Sequence, residues 1–141
     1  ALLQANMIVV GPGSLYTSIL PNLLVPDIVA AMRSSHAFKV FICNVTTQPG
    51  ETDNYDCGDH LRAIEEHVDD NLFDLVVSNC ANDGVLPENL QWVTAPPELD
   101  NDYAIYRAEL AREDNPLRHD DDKLARVLID LFMERTGPLV I

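Results

Sequence analysis

Short apolar runs alternate along the chain with segments of helical periodicity. Residues 6–10 include a continuous run rich in β-branched side chains, and residues 39–45 and 73–78 show the same pattern. Runs of this length and composition are typical of strands buried on both faces of a parallel sheet. Two weaker runs, residues 90–94 and 104–110, predict a fourth and a fifth strand.

The segments between these runs predict helices. Residues 57–68 place Leu61, Ala63, Ile64 and Val68 on one side, and residues 120–134 repeat apolar residues at helical spacing. A helix from about residue 14 should be interrupted by Pro21 and Pro26, which gives two short helices, the second over residues 26–34. Residues 1–5 are interpreted as the tail of an earlier helix. Strands that alternate with helices predict an α/β fold, with a parallel sheet covered by helices on both faces.

A narrow turn connects the first predicted strand to the helix after it. Its residues are Gly11, Pro12, Gly13 and Ser14. The glycines allow backbone angles that a Cβ obstructs, and Ser14 stands where a helix N-cap is expected. The unpaired N–H groups of a helix start favour a phosphate, and hydroxyl side chains follow at Tyr16, Thr17 and Ser18. The spacing matches neither Walker A nor the dinucleotide pattern, so a purely structural turn is the alternative.

A polar loop, residues 44–52, follows the second predicted strand. If the first two strands are neighbours, this loop and the glycine turn lie at the same edge of the sheet and line one cleft. The donors and acceptors of Asn44, Thr46, Thr47 and Gln48 suit a sugar, an amide or a base edge. The alternative is a connecting loop whose side chains cap its own backbone.

Two further clusters contain residues with functional chemistry. His60 and His67 lie seven residues apart without a third ligand beside them, which argues against a zinc site. His60 suits a polar contact or an acid–base role, or else it is a structural histidine. Residues 118–122 precede the last predicted helix, where aspartates cap a helix start. Alternatively, Arg118 or His119 closes over a phosphate, or the aspartates hold Mg²⁺ through waters.

Composition limits the classes of partner. The 141 residues suffice for one domain with a core, and 23 acidic against 9 basic residues give a net charge of −14. This charge argues against binding to nucleic acid or to an anionic membrane. Three widely spaced cysteines favour a reducing cytoplasm, and no apolar run approaches a membrane span. Both termini lie close to apolar runs, which predicts a piece of a longer protein.

Three segments together carry a family resemblance. They are GPGSLYTSILPNLL at residues 11–24, CNVTTQPGETDNYDCGDHLRAI at residues 43–64 and RHDDDKLARVLIDL at residues 118–131. In this order they resemble the YvcK branch of the CofD/YvcK family. The resemblance implies a Rossmann-like, cytoplasmic α/β protein that binds nucleotide-linked substrates. The family's N-terminal Gly-Gly-Gly-Thr-Gly motif is missing, so residues 1–141 are interpreted as the carboxyl-terminal portion of a single domain, with part of the ligand site outside them.

The two branches of the family imply different functions. YvcK proteins are gluconeogenesis or cell-shape factors that bind UDP-sugars, whereas CofD proteins transfer a phospholactyl group from a guanylylated donor to a deazaflavin alcohol. The TQPGET segment is characteristic of the YvcK branch, so a UDP-sugar-binding regulatory protein of carbon metabolism and the cell wall is the leading hypothesis. A 2-phospho-L-lactate transferase that uses Mg²⁺ is the alternative. An interaction protein with an acidic docking face is a third possibility.

The resemblance also implies which residues contact the ligand. The phosphate side comprises Gly11, Pro12, Gly13, Ser14, Tyr16, Thr17 and Ser18. The sugar or base contacts are Asn44, Thr47 and Gln48. No residue is assigned a catalytic role, and homo-oligomerisation is left open.

Overall fold

The computed structural model describes residues 1–69, 71–115 and 117–136. Four parallel strands form one sheet in the order β1-β2-β3-β4. The strands are β1 (Met7–Val10), β2 (Phe38–Ile42), β3 (Leu75–Asn79) and β4 (Ile105–Ala108). Val9 pairs with Val40, and Val77 pairs with Tyr106. The order follows the chain, so the loops after β1 and β2 leave the same edge side by side.

Among the described residues, α-helices lie between β1 and β2, between β2 and β3, and after β4, whereas a 3₁₀ turn lies between β3 and β4. The α-helices are α1 (Leu20–Leu23), α2 (Pro26–Ser34), α3 (Cys57–Val68) and α4 (Asp121–Thr136). A π-helical turn, Leu15–Ile19, leads directly into α1, and 3₁₀ turns occupy Leu2–Gln4 and Pro97–Asn101. Asp56 begins α3 with a reciprocal capping box, in which its side chain accepts from the Asp59 N–H and the Asp59 side chain accepts from the Asp56 N–H.

The sheet has a core on each face. On one face, Ile8, Phe41 and Val76 pack with residues of α1, α2 and α3, including Leu20, Met32, Leu61 and Ile64. On the other face, Val40, Ile42 and Val77 pack against Leu124, Val127, Leu128 and Leu131 of α4. The α/β, Rossmann-like prediction with helices on both faces is therefore confirmed.

The structure corrects several predicted elements. Residues 90–94 do not form a strand of the sheet, in which β4 follows β3 directly. They instead lie across the polar loop, where Val93 N–H donates to the Val45 carbonyl at 2.9 Å. Pro21 does not interrupt the helix, since the π-helical turn before it leaves Pro21 in the first turn of α1, where its missing N–H costs little. Residues 1–5 contain only a short 3₁₀ turn.

No single helix in the described part of the chain has the length and hydropathy of a membrane span. Two consecutive helical segments of that part, Leu15–Leu23 and Pro26–Ser34, reach this length and hydropathy only when they are counted together, and the chain bends by 69° between them.

Candidate functional site

The glycine turn and the polar loop meet at the carboxyl edge of β1 and β2. Gly13 N–H donates to the Asn44 side-chain oxygen at 3.0 Å, and the Asn44 amide donates to the Gly13 carbonyl at 2.8 Å. The expectation that the two loops share one edge is confirmed. Asn44, predicted as a sugar or base contact, therefore uses its side chain to join the loops.

Gly11 is the residue that lets the turn pass close over β2. Its φ is +84°, and a Cβ at this position would lie 2.6 Å from the carbonyl oxygen of Ile42. Gly13 is different, because a Cβ there would meet only Ser18 and Ile19 side-chain atoms at 3.7 and 3.9 Å. The sequence therefore requires glycine at position 11 for the fold and not, on these contacts, at position 13.

The Ser14 hydroxyl is already hydrogen-bonded to a carboxylate. It donates to Glu51, at 3.0 Å to Oε2 and 3.3 Å to Oε1, and it accepts a hydrogen bond from the Thr17 hydroxyl. The start of the predicted phosphate socket thus has a side-chain anion of the protein beside it. Glu51 was not among the predicted site residues, although it lies within the TQPGET segment.

Tyr16 and Ser18 lie away from this contact. The Tyr16 hydroxyl is 2.7 Å from that of Tyr55, and this hydrogen bond is the main cause that raises the pKa of Tyr16 to about 12. Ser18 and Gly11 line a second, mainly apolar cleft of about 410 Å³ beside β1. Their roles in ligand binding, like that of Thr17, stay predictions.

The polar loop is held by hydrogen bonds to its own backbone and to residues near Trp92. Thr47 is buried, and its hydroxyl accepts from Gln91 N–H at 3.0 Å, so its side chain anchors the loop. The Thr52 hydroxyl accepts from Gln48 N–H at 2.8 Å. The side-chain oxygen of Gln48 is buried and has no hydrogen-bond partner within the described ranges. Gln48 is thus the member of this loop with an unused acceptor.

A third segment reaches the same edge from beyond β4. The buried side-chain oxygen of Asn79 accepts from the N–H groups of Leu110 and Ala111, at 2.9 and 3.1 Å. An isolated antiparallel bridge then joins Ala111 to His119. Through these contacts the end of β3 fixes the segment that carries Arg118 and His119. Asn79 was not predicted, because a single asparagine at a strand end gives no signal of a distant partner.

His119 is buried and only partly satisfied. Its ring hydrogen-bonds to the backbone of Cys43, while Nε2 has no partner in the described part of the chain. Burial lowers the pKa of His119, so the neutral imidazole predominates near neutral pH. The Arg118 side chain forms no ion pair with any described residue. A cationic group without an ion-pair partner and an imidazole nitrogen without a hydrogen-bond partner therefore lie on consecutive residues here.

These three segments enclose one cleft of about 490 Å³. Its lining comprises Pro12, Gly13, Ser14, Asn44, Val45, Thr46, Gln48, Arg112, Leu117, Arg118, His119 and Asp121. Five predicted ligand contacts line it, whereas Gly11, Tyr16, Thr17, Ser18 and Thr47 do not. Arg112 was not predicted at all, and its guanidinium pairs with Asp114 at 2.8 Å.

The other predicted clusters have structural partners. His60 is 1% exposed, with Nδ1 at 2.8 Å from the Asp56 carbonyl, and burial lowers its pKa. Asp120 accepts from Lys123 N–H at 3.0 Å, which confirms a cap at the start of α4. Within the described residues, no group of three or more His, Cys, Asp or Glu side chains could hold a metal ion. Mg²⁺ that arrives with a phosphate ligand needs fewer carboxylates, so its participation stays a prediction.

Comparison with known proteins identifies relatives that match more than nine-tenths of this chain. The chain is 39% identical to the gluconeogenesis factor of Bacillus subtilis, over 93% of this chain and 44% of that protein. It is 40% identical to the gluconeogenesis factor of Listeria innocua, over 97% of this chain and 44% of that protein. A crystal structure of a UPF0052 family member from Bacillus halodurans matches with a TM-score of 0.80 and 36% identity, over 91% of this chain and 44% of that one.

The chain thus spans less than half the length of these relatives. The family model described as 2-phospho-L-lactate transferase CofD matches residues 1–133. The glycine turn, the polar loop and the start of the 118–131 segment, which carry the resemblance, meet at one edge of the sheet. Together with the family model and the relatives named gluconeogenesis factor, they show that the chain belongs to the CofD family, in its YvcK or UPF0052 branch.

Proposed function

We propose that the protein to which this chain belongs binds a nucleotide sugar of the UDP-sugar type in this cleft. The observation that carries the proposal is the convergence of unused polar groups from separate segments. Arg118, the Nε2 atom of His119 and the side-chain oxygen of Gln48 have no side-chain partners in the described ranges, and all three residues line the cleft. Buried polar atoms are normally hydrogen-bonded, so unpaired ones in a cleft are candidates for ligand contacts.

The charges favour one placement of the ligand. A diphosphate would lie toward Arg118 and His119, because the guanidinium supplies positive charge and Nε2 supplies a hydrogen-bond site. Gln48, Asn44 and Gly13, which also line the cleft and are uncharged, would face a neutral part of the ligand. The cleft volume of about 490 Å³ lies within the usual range for small-molecule sites.

The regulatory part of the proposal rests on the relatives. The two compared proteins from Bacillus subtilis and Listeria innocua are each named gluconeogenesis factor. We extend this to a cytoplasmic regulator of carbon metabolism and cell-wall or cell-shape control, in which the bound UDP-sugar is the signal.

Calorimetric titration of UDP-N-acetylglucosamine into the full-length protein tests the binding proposal. Arg118→Ala should weaken binding about tenfold to a hundredfold, because a charge-assisted hydrogen bond to phosphate is lost. Arg126→Ala is the matched control, since Arg126 is an exposed arginine of α4 outside the cleft lining. Absence of binding to a folded full-length protein, or equal affinities for both variants, would contradict the proposal.

A CofD-like transferase is the second candidate, and the family match over residues 1–133 favours it. It would bind GDP more tightly than UDP and would turn over a guanylylated phospholactate donor with a deazaflavin alcohol. The same titration with GDP, followed by a product assay with Mg²⁺ present, distinguishes the two functions.

A further inference from the structure

The ring of His119 uses one nitrogen for a backbone contact and leaves the other unpaired. The backbone contact is with Cys43, whose N–H already donates to the Val77 carbonyl at 2.9 Å. The ring therefore meets the carbonyl of Cys43, which can only accept a hydrogen bond. Because Nε2 has no partner among the described residues, the nitrogen that donates to this carbonyl is Nδ1.

This contact determines where the imidazole carries its proton. A neutral imidazole has a single N–H, and its other nitrogen can only accept a hydrogen bond. With the proton on Nδ1, neutral His119 places an unprotonated Nε2 in the wall of the cleft. The phosphate oxygens of a nucleotide sugar also only accept. A hydrogen bond between Nε2 and such an oxygen therefore requires a second proton on the ring.

The charged side chains of the cleft lining lie on one segment. They are Arg112, Arg118 and Asp121, whereas the glycine turn and the polar loop contribute only uncharged residues to the lining. Asp120, which follows His119 directly, has its carboxylate engaged as the cap of α4. The two arginines disfavour a further positive charge on the ring, and Asp121 favours it.

In the free protein the neutral ring prevails. Burial lowers the pKa of His119 and outweighs the opposing effect of Asp121. The thiol of Cys43 supplies no negative charge near neutral pH, because its hydrogen bond to Cys57 and its burial raise its pKa. A bound diphosphate changes this balance, since it brings negative charge into the cleft that His119 lines.

We infer that His119 takes up a proton when the diphosphate of the ligand binds, so that the affinity for a nucleotide sugar falls as the pH rises. This inference rests on the proposed nucleotide-sugar function. The proton comes from the solvent and forms an N–H bond at Nε2, which then donates to a phosphate oxygen. Nδ1 keeps its bond to the Cys43 carbonyl, because both nitrogens of an imidazolium donate.

The sign of the pH dependence follows from the two states of the ring. Burial places the pKa of free His119 below the ordinary 6.5, and the bound anion raises it. Between these two values the complex holds a proton that the free protein lacks. The affinity should therefore fall by up to about tenfold for each unit of rising pH in this interval.

The test is a calorimetric titration of UDP-N-acetylglucosamine into the full-length protein at about pH 7, in PIPES, HEPES and Tris. These buffers differ in ionisation enthalpy, so the change in observed binding enthalpy gives the number of protons taken up. The diphosphate of this probe is esterified at both ends and does not titrate near neutral pH, so the uptake is that of the protein. We expect between about half a proton and one proton per ligand.

His119→Gln identifies the group that takes up the proton. Glutamine keeps an N–H donor for the Cys43 carbonyl and cannot be protonated, so proton uptake should disappear, and with it the pH dependence of the affinity. His36→Gln is the matched control, because it removes an exposed histidine outside the cleft lining and should leave the uptake unchanged. The melting temperature checks the fold of both variants.

NMR of the histidine rings provides a second measurement that needs no variant. In the unchanged protein at about pH 7, one buried imidazole should change from neutral to protonated when the UDP-sugar is added.

Binding of the UDP-sugar without proton uptake would overturn the inference and leave the nucleotide-sugar proposal standing. Uptake that persists in a folded His119→Gln variant would also overturn it, because another group would then be the one protonated. Failure of the unchanged protein to bind the probe would count against the nucleotide-sugar proposal itself, and the inference would fall with it.

Discussion

Asn44 and Gly13 exchange two hydrogen bonds across the carboxyl edge of the sheet. The Gly13 N–H donates to the Asn44 oxygen at 3.0 Å, and the Asn44 amide donates to the Gly13 carbonyl at 2.8 Å. The two residues are 31 positions apart in the chain, so this pair sets the distance between the glycine turn and the polar loop. It therefore determines the shape of the cleft before any ligand is present.

Replacement of Asn44 by alanine should destabilise the protein. Two backbone groups of Gly13 lose their partners, and each hydrogen bond contributes about 0.5–1.5 kcal/mol, so the expected loss is about 1–3 kcal/mol. Urea unfolding measures it. Asn22→Ala is the control, because Asn22 is exposed and its side chain bonds only to the local Ser18 carbonyl at 2.7 Å. Equal free energies of unfolding for the two variants would show that the Asn44–Gly13 pair contributes no more than the local hydrogen bond of Asn22.

Replacement by alanine should destabilise the protein much more at Gly11 than at Gly13. Gly11→Ala places a Cβ 2.6 Å from the Ile42 carbonyl oxygen at a φ of +84°, and we expect a loss of more than about 2 kcal/mol. Gly13→Ala meets only ordinary contacts of 3.7 Å and longer, and its effect should stay below about 1 kcal/mol. Thermal unfolding of both variants under the same conditions compares them. A Gly13 variant as unstable as the Gly11 variant would refute this steric argument.

The strand–helix alternation was predictable because it depends on local patterns. The run at β1 and the periodicity of α3 and α4 each specify an element from its own residues, and parallel pairing then brings the glycine turn and the polar loop to one edge. The prediction of a strand at residues 90–94 was wrong, because an apolar pattern does not reveal which part of the backbone a segment pairs with. In the structure it pairs with the loop at Thr46.

The candidate site was predictable only where a motif lies on a loop. Gly13, Ser14 and Gln48 were placed correctly in one cleft, since their loops follow neighbouring strands. The roles of Asn44, Thr47 and Glu51 depend on partners 31 to 44 residues away, and no local pattern encodes these pairs. An isolated polar residue in a loop has the same sequence signature whether it binds a ligand or another loop.

Asn79 should be a structural requirement for the segment that carries Arg118 and His119. Its side-chain oxygen accepts from the N–H groups of Leu110, Ala111 and Ala81, at 2.9, 3.1 and 3.1 Å. Asn79→Leu leaves these groups without an acceptor, and we expect a loss of more than about 3 kcal/mol in urea unfolding, since each unsatisfied buried group costs about 1–3 kcal/mol.

Asn79→Asp is the comparison variant because its carboxylate keeps the acceptor, although it loses the donation to the Ala81 carbonyl and places a charge at a buried site. It should be less stable than the unchanged protein but more stable than Asn79→Leu, because the three N–H groups keep their acceptor. If the leucine and aspartate variants were equally unstable, the three N–H contacts would not explain the role of Asn79.

The unfolding free energy should fall as the pH drops below about 6.5. Burial lowers the pKa of His60 and of His119 below the ordinary value of 6.5, because the interior disfavours the charged imidazole. In this range the unfolded chain binds protons that the folded protein does not, so stability rises with pH up to about 6.5 and is fully present above it.

Urea unfolding at several pH values between 7.5 and 5.5 measures how steeply the unfolding free energy changes with pH. His119→Gln should reduce this slope, whatever its effect on stability at pH 7.5, because it removes one of the two histidines whose pKa is lowered by burial. A His119 variant with the full slope would mean that His119 binds its proton equally well in the folded and unfolded states.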